Sequence, residues 1–303
     1  MKLTITPVPP YDFDLSNRIF HDGDRQIRIY ENGKYRQVIR ANNKLILITV
    51  ESSGSVDAPV LSAELRSNQK ISENDRRAAE EAISYILNLG LNLDTFYWAV
   101  KNDRIMAEIA EKLRGLKNPT TPTVFESLIS SIIEQQISLI VAHSMERKVV
   151  KAFGDALRID EMDYYIFPTP QRLATATIEE LRQCGLSEKK AEYIRDVSKS
   201  IVEGKLDLEG LKELEDTNTV IDRLLNIRGI GRWTAEMAVL RGMRRLEEMP
   251  ADDIGLRRCM AHYYSNGRRI STDEARQIAQ KWGKWKGLAG FYLIIAEHLG
   301  IEV

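Results

Sequence analysis

Cysteine, histidine and long apolar runs are all scarce in this 303-residue chain, and each scarcity removes a class of function. Two cysteines, Cys184 and Cys259, are too few for a disulfide framework, a four-thiolate zinc site or an iron–sulfur cluster, so both are expected as reduced thiols. The four histidines (His21, His143, His262, His298) show no short ligand spacing such as His-Glu-x-x-His, and no catalytic metal is expected. No apolar run approaches the roughly 20 residues that span a bilayer. The start, "MKLTITPVPPYDFDLSN", lacks the apolar core of a signal peptide, so a cytoplasmic protein without a membrane partner is expected. Neither sign of charge dominates either. The net charge of -1 lacks the strongly basic footprint usual for a nucleic-acid-binding domain.

What is present is an ordinary globular composition, 43% hydrophobic and 29% charged, at a length beyond which one core usually stops growing. Two or three packed units are expected. The charge is also uneven: from Arg223 to Arg269 there are ten arginines against five acids. A solvated helical face and a nucleic-acid footprint both account for that segment.

The first 70 residues read as strands: "RQIRIY", "YRQVIR" and "KLILITV", with "PVLSAEL" as a fourth. Asn32-Gly33 between the first two is a strong hairpin signal. The period then becomes helical in "SENDRRAAEEAISYILNLG", which opens on a capping box of Ser72 and Asp75 and closes on Gly90. The expected fold class is α+β, a small antiparallel sheet backed by a helix over 1–93, followed by a connecting helix and loop over 94–122. From residue 94 the chain reads as helical, punctuated by caps and glycines rather than strands. "VFESLISSIIEQQISLIVAHSMERKVVKAFG" is too long for one uncapped helix, and Ser138 is placed to cap a second.

Three elements carry candidate chemistry. In "LLNIRGIGRWTAEMAVL" a helix ends near residue 226, Gly229 and Gly231 permit positive φ and close backbone approach, and a new helix starts near Arg232. Such a turn presents free N–H groups and a positive helix end to a phosphate, with Arg232 or Thr234 adding a contact; helix packing alone also explains the glycines. In "MPADDIGLRRCM" Asp252 and Asp253 stand where the next helix begins. One suffices as an N-cap, which leaves the other free to face a cleft, where carboxylates do acid, base or cation-stabilising work. In "EQQIS", Gln135 and Gln136 interrupt an apolar pattern, either to satisfy helix ends or to enter a DNA groove.

In this order, the three elements resemble the helix-hairpin-helix DNA glycosylase superfamily. "PPYDF", "FPTPQRLATATIEELRQCGLSEKKAEYI", "GIGRWTAE" and the paired aspartates resemble in particular its DNA-3-methyladenine glycosylase II type, over nearly the full length. The resemblance implies an N-terminal sheet domain and an all-α body of two helical subdomains, here 123–226 and 227–303. It also implies a monofunctional glycosylase of base excision repair, acting on alkylated purines in damaged double-stranded DNA; deaminated purines are a further expectation, from departures in the base pocket. A monomer at the nucleoid, without an iron–sulfur cluster or organic cofactor, is expected. Position by position, Asp253 matches the catalytic aspartate. The carbonyls of Leu225, Ile227 and Gly229 match those that hold a sodium or potassium ion, and Gln136 stands near the residue that fills the gap left by a flipped base. Trp233 stands where the lyase branch carries its Schiff-base lysine. The sequence departs from the type in its base pocket: positions that are aromatic in well-known members are Ile19, Met237 and Ile294 here, beside Trp233.

Overall fold

The computed structural model describes residues 1–303. Its N-terminal part holds β1 (Lys2–Ile5), α1 (Phe13–Asn17), β2 (Arg28–Glu31), β3 (Lys34–Ala41), β4 (Lys44–Ser52), β5 (Leu61–Arg66) and α2 (Glu73–Ile86). The five strands form one antiparallel sheet in the order β1-β5-β4-β3-β2. Asn32 and Gly33 both take positive φ in the β2–β3 turn, as their sequence signal indicates, and Asn42 and Asn43 do the same between β3 and β4. The edge strand β1 carries too short a pattern to be read from the sequence. Helix α2 starts on the Ser72–Asp75 capping box but stops at Ile86, four residues before Gly90, and Asn88 takes the left-handed conformation instead.

Strand alternation divides the sheet into two buried faces. Tyr35, Ile39, Ile46, Ile48 and Val50 pack with Ala79, Ile83 and Ile86 of α2. The opposite residues Val38 and Leu47 meet Leu157 and Ile159. Those two belong to a hairpin of β6 (Ala156–Ile159) and β7 (Met162–Tyr165), strands inside the region that reads as purely helical. Its four-residue strands are too short to set a period. Its turn uses Asp160 and Glu161 at positive φ, with no glycine to mark it.

The remaining elements are α3 (Asp94–Val100), α4 (Arg104–Lys112), α5 (Val124–Glu134), α6 (Leu139–Phe153), α7 (Pro170–Thr175), α8 (Ile178–Gln183), α9 (Glu188–Val202), α10 (Thr217–Leu225), α11 (Arg232–Met243), α12 (Ile254–Tyr264), α13 (Thr272–Ala279) and α14 (Lys286–His298). Every residue of α5 is buried, and Ser138 caps α6 through the amide of Val141. Two helical cores result, and they do not follow the divisions expected at 94 and 227. One runs from Val124 to Met243 and includes both α10 and α11. The other joins Leu93–Leu116 to Leu246–Ala296, so α3 and α4 are part of a core rather than a connector. The hydrophobic helix faces decide this, because α11 packs against α5 while α12 packs against α14.

Where the sheet meets the first core, Arg28 of β2 faces the buried carboxyl of Glu126 at 3.9 Å, with Glu146 nearby. Burial outweighs the Arg28 attraction and pushes the Glu126 carboxyl up to about 7. The folded state therefore binds this proton more tightly than the unfolded state. The associated stability is complete below the unfolded value near 4.5 and is lost as pH rises through about 7. Thermal melts from pH 5 to 8.5 are expected to fall across that window. Glu126→Gln should flatten the fall, and an unchanged slope would contradict the assignment.

Candidate active site

The Gly-rich turn joins α10 to α11. After the last turn of α10 the N–H of Ile227 bonds to Leu224 O at 3.0 Å, and the N–H of Ile230 bonds to Ile227 O at 3.1 Å. Gly229 has φ +87, and a Cβ there would sit 2.4 Å from the Tyr193 ring, so both backbone and space require glycine. Gly231 is different: it is the N-cap of α11 at φ -94, and a Cβ would meet nothing within 4 Å. Both glycines permit positive φ, and only Gly229 uses it. Gly231 leaves an open approach to the first amides of a 12-residue helix.

Trp233, in the first turn of α11, crosses to the next segment. Its Nε1–H donates to Asp253 Oδ2 at 2.9 Å. Asp253 is itself the N-cap of α12, its Oδ1 accepting the Leu256 amide at 2.8 Å. Asp253 thus caps α12 with one oxygen and accepts the indole N–H with the other. Its neighbour Asp252 is not the cap; its Oδ1 accepts Thr272 Oγ1 at 2.9 Å. Met237, one turn beyond Trp233, is buried, while Ile19 and Ile294 are exposed on the Arg18–Phe20 turn and on α14.

Several expected DNA contacts point inward. Thr234 is 2% exposed, and its hydroxyl accepts Gln135 Nε2 at 3.0 Å. The same amide donates to Gly229 O at 3.0 Å, so Gln135 clamps the turn to the end of α5 rather than reading bases. Arg232 is held by Glu236 at 2.7 Å and by Glu248 at 3.5 Å. Other members of the arginine-rich segment are likewise engaged: Arg228 with Glu192 and Asp196, Arg241 with Glu134, Arg258 with Glu297 and Arg268 with Glu274. Five of the ten arginines are therefore paired with carboxylates, and Arg228, Arg258 and Arg268 make those pairs at the surface. Gln136, at φ 56, is exposed, and it is followed by Leu139, Ile140 (82% exposed) and Val141, an aliphatic run open to solvent that the helical period concealed.

The model for HhH-GPD superfamily base excision DNA repair proteins matches residues 129–284, which contain the Gln135–Gln136 turn, the glycine turn and Asp253. The chain belongs to this superfamily. A DNA-3-methyladenine glycosylase of Bacillus subtilis is 31% identical over 258 residues, 82% of this chain and 85% of that protein. Among solved structures, a 3-methyladenine DNA-glycosylase from Archaeoglobus fulgidus superimposes with a TM-score of 0.86 at 26% identity, covering 98% of this chain and 99% of that one. The 8-oxoguanine glycosylase/lyase of Clostridium acetobutylicum in complex with DNA shares the fold, with a TM-score of 0.77 at 21% identity and 99% of both chains covered.

The two glycines of this HhH-GPD turn should separate in effect. Gly229→Ala is expected to lower stability by about 2 kcal/mol or more through backbone strain and the Tyr193 clash. Gly231→Ala should cost no more than about 1 kcal/mol in thermal melts yet weaken binding to abasic-site DNA. Equal effects of both on melting and binding would contradict this division of roles.

Proposed function

We propose that this base-excision-repair glycosylase is monofunctional. It flips damaged purines from duplex DNA and hydrolyses the N-glycosidic bond with Asp253 as the catalytic carboxylate. The observation that carries this reading is the Trp233–Asp253 hydrogen bond. It puts an indole where a lyase needs an amine, and residues 213–280 contain no lysine at all.

Flipping costs a few kcal/mol, least for damaged or mispaired bases. The open amides at Gly231 suit a backbone phosphate, and Gln136 suits the gap left in the stack. The carbonyls of Ile227 and Gly229 each accept one hydrogen bond already and keep a second lone pair. With Leu225 O they would hold a sodium or potassium ion, which would add positive charge at the phosphate. As the glycosidic bond breaks, positive charge develops on the sugar. A carboxylate at about 4 Å stabilises it by roughly 4 kcal/mol at an effective dielectric near 20, about three decades in rate. Because N–H donors hold both Asp253 oxygens, little reorganisation is needed when that charge appears. The remaining lone pairs can orient or activate the attacking water.

The substrates are alkylated purines, in keeping with the names of the Bacillus and Archaeoglobus relatives. A cationic base stacked on Trp233 gains about 0.5–2 kcal/mol. The aliphatic Ile19, Met237 and Ile294 offer no such gain, so selectivity for cationic over neutral lesions is reduced and hypoxanthine is accepted as well.

Single-turnover excision of 3-methyladenine, 7-methylguanine, hypoxanthine and 8-oxoguanine tests the proposal, with Asp253→Asn as control. Asparagine is as good an N-cap as aspartate, so the variant should fold and bind abasic DNA while excision falls about 1,000-fold. Near wild-type excision by Asp253→Asn would remove Asp253 from the mechanism. Release of no base at all by the wild-type protein would leave a DNA-binding module, and 8-oxoguanine release with strand cleavage would favour a lyase.

A further inference from the structure

Glu236 is fully buried on α11, one turn past Arg232. Its Oε1 accepts Arg232 Nε at 2.7 Å and Arg276 Nη2 of α13 at 3.3 Å, whereas Oε2 has no hydrogen-bond partner. Burial pushes this carboxyl up and the two arginines pull it back down, with burial the larger effect. A buried, incompletely satisfied ion cluster contributes little to stability, and apolar residues of similar volume generally serve as well. Its value has to be sought elsewhere.

The two arginines reach on from Glu236 to both ends of the 248–252 segment, which leads into Asp253. Arg232 lies 3.5 Å from Glu248, and Arg276 lies 3.9 Å from Asp252. Thr272, at the start of α13, fixes the other oxygen of Asp252 at 2.9 Å. Two cations therefore face three carboxylates, Glu236, Glu248 and Asp252, which leaves no surplus positive charge for a DNA phosphate. The cluster also runs beside the catalytic pair: Arg232 precedes Trp233, and Asp252 precedes Asp253. The same two segments are joined twice, once by the ion cluster and once by the Trp233–Asp253 bond.

We infer that Glu236 is a positioning residue: through Arg232 and Arg276 it holds the 248–252 segment against α11, so that Asp253 Oδ2 stays in register with Trp233 Nε1. The inference rests on Asp253 being the catalytic carboxylate. Losing the tether lets the carboxylate shift relative to the sugar, and a misplacement near 1 Å costs up to about 100-fold in rate.

The test uses the full-length chain and four readouts: melting temperature, affinity for abasic-site DNA, single-turnover excision at saturating enzyme, and Trp emission corrected with Trp233→Phe. Glu236→Gln should lower the single-turnover rate at least tenfold and shift the Trp233 emission, with DNA affinity unchanged within about twofold. Arg276→Met, at a half-exposed position that tolerates substitution, should do the same, and Arg276→Lys should recover most of the rate. The double variant should fall no further than either single one, because both cut one tether. Unchanged excision in Glu236→Gln and Arg276→Met, or loss of rate only in step with melting temperature and affinity, would overturn the positioning role. If Asp253→Asn abolishes excision while those two variants are unaffected, only the positioning role fails. If Asp253→Asn retains excision, the underlying assignment fails instead.

Discussion

The site depends on one hydrogen bond, from Trp233 Nε1 to Asp253 Oδ2. The helix that carries Trp233 is packed into the core that runs from Val124 to Met243, whereas Asp253 caps a helix of the other core. The bond therefore crosses the seam between two separately packed bodies. A shift of a few tenths of an ångström between them would be felt first at this contact. The rigid packing of α5 against α11, the Gln135 clamp on Gly229 and Thr234, and the Glu134–Arg241 ion pair all fix the Trp233 side. The Asp253 side is fixed by its own cap bond and by the contacts of Asp252.

The charge distribution follows from the same organisation. A chain of net charge -1 with a local run of arginines suggests a basic DNA-binding face, yet five of those ten arginines, Arg228, Arg232, Arg241, Arg258 and Arg268, are paired with carboxylates. Main chain is open to a phosphate as well: the amides at the start of α11, approached over Gly231. Main-chain donors and a helix end attract an anion without a large net charge. That resolves the apparent conflict between a near-neutral protein and a DNA-directed fold.

Local chemistry was the legible part of this chain. The Asn32-Gly33 turn, the Ser72 capping box, the Ser138 cap and the glycine turn each depend on residues within a few positions of one another, and each is found where the pattern places it. Trp233 and Asp253 could be singled out by resemblance, but their contact spans 20 residues and follows only from packing. The inward turn of Thr234, the contact of Arg232 with Glu248, and the β6–β7 hairpin under the sheet were not legible for the same reason. Each depends on a partner distant in sequence: Gln135 for Thr234, Glu248 for Arg232, and Val38 and Leu47 for the hairpin. Arg276 carried no signal at all, because an arginine on a short helix reads as surface until its buried partner is known.

With an indole at residue 233 beside the carboxylate proposed as catalytic, base removal should proceed without strand cleavage. The direct measurement is a product assay on lesion-containing duplex DNA, with and without hot alkali, run in parallel with borohydride. The expected products are an intact abasic strand that breaks only after alkali, and no covalent protein–DNA complex on reduction. A nicked strand before alkali together with a borohydride-trapped complex would contradict it.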